Sequence, residues 1–224
     1  MKIIRDISEK INIFYLRSKY NFIEKYLSTK TFRVLDVGAG NHTVKKIKKL
    51  YPTCDYYGID ISRNYNNDKD DFYLMEAFYE MDLTELKFDA IENNFYDAIL
   101  MSHIIEHLYN GDMVIENLIK KLKIGGIIYI EFPGFTSTKL PSMEGTLNFF
   151  DDDTHIRIYS LREIYNVLLI NNVKPIKGGK RRIWLRIILM PFLVTYRIIR
   201  SRKLNATDFW DLFGFAEYVV GRKI

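Results

Sequence analysis

Residues 32–40 read FRVLDVGAG, an apolar run that stops on Asp36 and two glycines. The run has the length and β-branched character of a strand, and glycines at 38 and 40 let the backbone turn tightly and approach a ligand with no Cβ in the way. HTVKKIKKLY follows with helical spacing, and Pro52 lies just beyond it, as expected past a helix end. Strand, glycine turn and helix together open an α/β unit.

The same alternation continues downstream. DYYGIDIS reads as a second strand, FYEMDL as a third, and FYDAILMS as a fourth that leads directly into a helix, HIIEHLYNGDMVIENLIKKL. KIGG is expected to stop that helix before a fifth strand, IIYIEFP. Ser160 and Glu163 form a capping-box pair in front of SLREIYNVLLIN, a strand around VKPIKG follows, and GFAEYVVGRK reads as a final strand. Upstream, residues 3–28 predict an amphipathic helix with Ile4, Ile7, Ile11, Phe14, Phe22, Ile23 and Leu27 on its apolar stripe. Alternating strands and helices predict a parallel sheet covered on both faces, with ligands at the carboxyl ends of its strands. That rim gathers Asp36, Gly38, Gly40, Asp60, Asp82 and the stretch from Ser102 to His107. Asp60 lies twenty residues after Gly40, where a carboxylate can accept both hydroxyls of a ribose, and Asp82 is placed to meet an adenine.

Composition sets bounds on the partners. At 224 residues with 48% hydrophobic and 27% charged side chains, the chain suits one domain with a sizeable core. Its single cysteine, Cys54, excludes an internal disulfide framework and fits a reducing cytoplasm, and its place before a strand predicts a buried, inert thiol. MKIIRDISEKINIF lacks the apolar core of a signal peptide. Between residues 177 and 203 there are nine Lys or Arg and no Asp or Glu, so subtracting them from the overall +5 leaves −4 on the rest. The basic character is local, which argues for a local anionic partner and against a nucleic-acid wrapper.

Together VLDVGAGN, YGIDIS, YEMDL, FYDAILMSHIIEHL and LKIGGIIYIEFP resemble class I S-adenosylmethionine-dependent methyltransferases, with the strongest likeness to the ubiquinone-type and glycan-locus O-methyltransferase branch. The likeness runs from about Arg33 to Pro133, with an echo in THIRIYSLREIYNVLL. It implies a Rossmann-like, doubly wound α/β fold with a seven-stranded sheet, parallel except for an antiparallel last strand. The domain would carry an N-terminal helical segment (1–30), a cofactor core (31–133), and substrate-side loops with a basic insertion before the last strand (134–224). Asp36, Gly38 and Gly40 would hold the methionine end of S-adenosylmethionine, Asp60 and Ile61 its ribose, Asp82 and Leu83 its adenine, with Ser102 near the methyl group. Two departures stand out: Asn41 and then His42 follow the glycines where a third glycine is common, and Ile124 replaces a common proline.

Residues 102–108, SHIIEHL, contain His-x-x-Glu-His, the zinc spelling of a metallopeptidase class. On a helix, His103, Glu106 and His107 would share one face. The run abuts a strand, however, and a cofactor loop precedes it, so methyl transfer takes precedence. His107 is the first candidate for the base that deprotonates the acceptor, with His103 as the second and Glu106 as orienter. His155, in the loop over the acceptor side, is a further candidate or orders the acidic stretch 151–153. No metal ligand set is assigned, although the resemblance allows a divalent cation at Glu106 and His107. The long loop 134–153 predicts a lid or binding loop with Phe149 and Phe150 as pocket or core residues.

From Ile183 to Ile199 the chain is apolar but interrupted by Arg186, Pro191 and Arg197, and flanked by KRR and RSRK. It is too short and charged for a span and predicts an amphipathic helix at an anionic membrane surface or on a phosphorylated substrate, in a cytoplasmic protein peripheral to the inner face. The expected acceptor is a small molecule, glycan or lipid-linked compound. The competing readings are a cofactor-binding module that has lost catalysis and an RNA methyltransferase; the latter lacks an Asn/Asp-Pro-Pro-aromatic motif.

Overall fold

The computed structural model describes residues 2–27, 31–201 and 203–224. Its strands are β1 (Arg33–Val37), β2 (Asp55–Asp60), β3 (Ala77–Glu80), β4 (Tyr96–Ser102), β5 (Leu122–Pro133), β6 (Val173–Lys180) and β7 (Ala216–Lys223). They form one sheet in the order β3–β2–β1–β4–β5–β7–β6. β1 to β5 pair in parallel, while β7 runs antiparallel to both its neighbours, β5 and β6. The helices are α1 (Lys2–Tyr26), α2 (Thr43–Leu50), α3 (Lys69–Tyr73), α4 (Gly111–Lys121), α5 (Leu161–Ile170), α6 (Trp184–Ser201) and α7 (Trp210–Phe213).

Both faces of the sheet are buried, which is why its central strands read as unbroken apolar runs. Along β4, Ile99 and Met101 join the layer beneath α4 and α5, whereas Ala98 and Leu100 join the layer beneath α1 and α2. On the second face Phe22 of α1 stacks on Tyr129 of β5, ring centroids 4.9 Å apart and nearly parallel. Tyr20, Phe22 and Ile23 carry the contact, and the side chains of Ile4, Ile7 and Ile11 lie outside the described residues. α5 begins on the expected capping box: Ser160 Oγ accepts from the Glu163 amide, and Glu163 Oε2 accepts from the Ser160 amide. Cys54 is buried, and burial pushes its thiol up to about 11, so it is inert at neutral pH.

Three boundaries differ from the sequence reading. The helix expected from His103 begins only at Gly111; residues 105–107 form a single 3-10 turn. Tyr159 explains the delay, because its hydroxyl donates to the Leu108 carbonyl and accepts from the Gly111 amide, pinning the chain where a longer helix would pass. A Cβ on Gly111 would lie 2.4 Å from that oxygen. KIGG belongs to β5 and does not form a loop, and Asp82 lies beyond β3, where it caps the 3-10 turn Leu83–Glu85.

Replacing Phe22 by Ala should remove about 3 kcal/mol of stability, the usual cost of emptying a buried aromatic site. Urea unfolding should show a lower midpoint at unchanged slope.

Candidate functional site

The glycine turn after β1 is built from unusual backbone. Gly38 has φ +84°, and both Asn41 (φ 55°) and His42 (φ 56°) are left-handed. Asn and His are among the non-glycine residues most often found in that region, and His42 has further support. That support comes from the 62–71 segment: His42 Nδ1 lies 2.6 Å from Oδ2 of fully buried Asp71, and Asn67 Nδ2 donates to the Ala39 carbonyl. Asp68 and Asp71 cap α3 reciprocally, and Lys45 bridges both carboxylates. Where a third glycine is common, this chain has a histidine clamped by a buried aspartate.

The turn faces Asp60 at the end of β2. A Cβ on Gly40 would fall 2.6 Å from the Tyr65 ring and 3.4 Å from Asp60 Oδ2, so the bare glycine, the carboxylate and the ring crowd one place. Asp60 is half-buried, and burial holds its carboxyl above its usual value against two amide donors. Ile61 beside it is exposed. Asp36 points elsewhere: it is buried, accepts a short hydrogen bond from Tyr56, and sits in the layer under α1. Asp82 Oδ1 is taken by the Thr84 amide and hydroxyl, and Leu83 is buried behind it. At the β4 tip Ser102 Oγ is buried without a hydrogen-bond partner.

His103 follows Ser102 in a left-handed conformation, φ 56°. Its Nε2 lies 3.0 Å from Glu131 Oε1, and its Nδ1 lies 3.3 Å from Glu106 Oε1, at ion-pair distance but outside hydrogen-bond alignment. Glu131 was missed by sequence reasoning. It sits in β5, buried among Lys19 Nζ at 3.1 Å, Arg181 Nε at 3.7 Å and the Tyr129 hydroxyl, which donates to it. Burial opposes its charge, but Arg181, Lys19 and His103 hold it well below the usual carboxylate range. The only sequence signal was an acid inside an apolar strand; its partners lie far off in the chain. Trp210 of α7 packs on His103, centroids 4.9 Å apart, with Phe215 on its other side.

Glu106 is also buried, with neither oxygen in a hydrogen bond. His107 and His155 stand beside it, their rings 4.9 Å apart, and one ligand atom from each of Glu106, His107 and His155 lies within 4.8 Å of the others. His155 Nδ1 donates to the Phe149 carbonyl at 2.7 Å, and His107 Nδ1 to the Thr154 carbonyl at 3.1 Å. In the neutral form of each ring Nε2 therefore carries the lone pair. His155 also lies 3.8 Å from Asp152, so it both orders the acidic loop and reaches the Glu106 cluster. Phe149 is core, packed on His155, whereas Phe150 is exposed. The shared helix face predicted for His103, Glu106 and His107 does not exist, yet the fold still brings both histidines near the Glu106 carboxylate.

The chain was compared with known families and structures. Residues 10–174 match the family described as a methyltransferase domain. A search of curated proteins finds no match. Among solved structures, an Archaeoglobus fulgidus SAM-dependent methyltransferase is similar at 18% identity and TM-score 0.60, over 94% of each chain. YcgJ of Bacillus subtilis is similar at 18% identity and TM-score 0.56, over 90% of this chain and 96% of that one. A Haemonchus contortus phosphoethanolamine N-methyltransferase, bound to phosphomonomethylethanolamine and S-adenosylhomocysteine, is similar at 17% identity and TM-score 0.62, over 90% of this chain and 51% of that one. At these identities the likeness establishes the fold, which is the seven-stranded arrangement expected from the sequence.

Two buried groups make stability depend on pH. Burial works against a charged His103, but Glu106 and Glu131 outweigh it and its value is raised above 6.5. Burial pushes Asp36 from 3.8 up to about 7 despite its bond from Tyr56. A group bound more tightly to its proton in the folded state stabilises fully below its unfolded value and loses that contribution as pH rises through the folded one. Urea unfolding should therefore show stability falling between pH 4 and 7 through Asp36 and above pH 6.5 through His103. His103→Asn should flatten the upper part of that decline alone; an unchanged profile would contradict the ion-paired imidazolium.

Proposed function

Because the chain belongs to the methyltransferase-domain family, we propose that it is an S-adenosylmethionine-dependent methyltransferase acting on an oxygen of a small-molecule, glycan or lipid-linked acceptor. The observation that carries the cofactor reading is the meeting of Gly40, Asp60 and Tyr65 at the strand tips, where a Cβ on Gly40 would fall 2.6 Å from the Tyr65 ring and 2.9 Å from its carbonyl, so that only glycine fits beside the carboxylate. The residues fit the group: glycines leave the backbone open, Asp60 can accept two ribose hydroxyls, Asp82 and Leu83 border the adenine side, and the unpartnered Ser102 hydroxyl is available at the methyl end. Asp36 instead ties β1 to β2 by accepting from Tyr56.

S-adenosylmethionine supplies a methyl group on a sulfonium, open to in-line attack. The protein must align an acceptor hydroxyl and remove its proton, so that the O–CH3 bond forms as the S–CH3 bond breaks. The geometry favours His107 as the group that takes this proton. His103 has a carboxylate at each nitrogen, which favours the doubly protonated ring and leaves no lone pair for a substrate. His107 is oriented through Nδ1 by Thr154 and has a ring nitrogen within 4.8 Å of a Glu106 carboxylate oxygen, a charge that would steady the imidazolium formed when the proton arrives. Trp210 and Phe215 shield the His103 ring, leaving it an electrostatic and positioning role.

Glu106, His107 and His155 also fit a divalent cation: the carboxylate is unpartnered, and each histidine is oriented by a carbonyl on its far nitrogen, the usual outer-shell arrangement of metal-bound imidazole. A cation held there would lower the pKa of an acceptor hydroxyl.

Asp60→Ala should weaken S-adenosylhomocysteine binding by about tenfold or more in calorimetry, the loss of a charged hydrogen-bond acceptor. His107→Ala should leave that affinity intact while lowering methyl transfer by about 10²–10⁴-fold. Unchanged affinity in the first variant would contradict the cofactor site, and unchanged turnover in the second would contradict the base. Dialysis against a chelator, followed by readdition of magnesium or zinc, separates a cation requirement from a purely protonic mechanism: activity indifferent to both steps excludes the cation.

A further inference from the structure

Helix α6 is inserted between β6 and β7, and it turns the wrong way for a surface helix. Arg186 and Arg197 face the protein: Arg186 reaches Asp211 at 3.3 Å and the Thr207 carbonyl at 2.7 Å, and Arg197 reaches Asp208 at 3.3 Å. Asp211 is buried and also accepts from the Ile183 amide, so this anchor sets the helix rotation at its first turn. Steps of 100° per residue then carry Trp184, Ile188, Phe192 and Ile199 onto the opposite face, within about 80° of one another. They are 64%, 67%, 75% and 77% exposed, the inverse of the usual apolar-in pattern. Among the described residues no helix is long and apolar enough to cross a membrane.

The charge around the stripe indicates what covers it. Lys177, Lys180 and Arg182 are exposed at its base, within a segment holding nine cations and no acid while the remainder of the chain carries −4. Two copies meeting through this face would bring like charges together, which disfavours a self-paired interface. An anionic lipid surface satisfies both features, taking the apolar stripe into the acyl boundary and the cations among its headgroups. An outward tryptophan and phenylalanine suit that depth. The segment 206–211, which receives Arg186 and Arg197 of the helix, also reaches the loop after β5 and the tip of β4: Ala206 donates to the Glu144 carbonyl, and Trp210 donates to the Thr146 carbonyl and packs on His103.

We infer that α6 is an interfacial helix by which this protein docks on anionic bilayers through Trp184, Ile188, Phe192 and Ile199. The full chain should co-sediment with vesicles of equal parts phosphatidylcholine and phosphatidylglycerol about tenfold or more over phosphatidylcholine alone, given roughly 1 kcal/mol per juxtamembrane cation, and added salt should reduce the difference. Trp184 emission should shift to the blue on binding, and the shift should vanish in Trp184→Phe. Ile188→Asp/Phe192→Asp should lose about tenfold or more of the partitioning while its melting temperature and S-adenosylhomocysteine affinity stay those of the parent. Equal sedimentation with the two vesicle types, or sedimentation unaffected by the double substitution, would overturn the proposal. So would a dimer in analytical ultracentrifugation that the same substitution converts to monomer, since a second copy would then own the face.

Discussion

A carboxylate in the middle of a sheet is costly, and Glu131 shows what the fold spends to keep one. Its two oxygens meet Lys19 from α1, Arg181 from the end of β6, the Tyr129 hydroxyl and the His103 ring. Desolvating one charge without these partners would cost several kcal/mol, so each partner's position is constrained by the others. Lys19 fixes the rotation of α1, Arg181 fixes the exit from β6 and the start of the inserted helix, and His103 is drawn into a backbone conformation that few residues adopt. The same carboxylate therefore ties the N-terminal helix, the start of the segment inserted between β6 and β7, and the tip of β4 to one point.

The cofactor rim depends on a second, independent lock. The turn after β1 carries three positive-φ residues within five positions, Gly38, Asn41 and His42, and it is closed by the 62–71 segment folding over it. The buried Asp71 carboxylate holds His42, and Lys45 neutralises it. One lock sets the loop after β1, and the other sets the tip of β4, where His103 stands between Glu131 and Glu106.

Much of this was legible in order and little in detail. FRVLDVGAG, Asp60 twenty residues on and the Ser160–Glu163 cap each rest on contacts close in sequence, and each is where local chemistry places it. The helix expected from His103 starts late because Asn110-Gly111 breaks the apolar period between Leu108 and Met113, a local turn signal, and because the hydroxyl of Tyr159, fifty residues away, pins the chain there. Glu131 was visible as an acid in an apolar strand, but its meaning is carried by Lys19 at a separation of 112 residues. Asp36 shows the reverse failure. It stands at the motif position, yet its carboxylate turns away from the rim to Tyr56, because alternation along a strand sends every second side chain to the other face.

The position of β7 has a consequence for how the chain acquires this structure during synthesis. β6 joins the sheet only through β7, which follows it in sequence and lies between it and β5. Until residues 216–223 have emerged, β5 presents an open edge, β6 has no strand beside it, and the apolar α6 is held through Arg186 and Arg197 to residues 207–211. A nascent chain in that state displays unpaired strand edges and an uncovered hydrophobic stripe together, the combination most prone to wrong pairing. The last strand thus acts as a closing wedge, and the interval before it arrives is when a chaperone or a nearby lipid surface would have most to contribute.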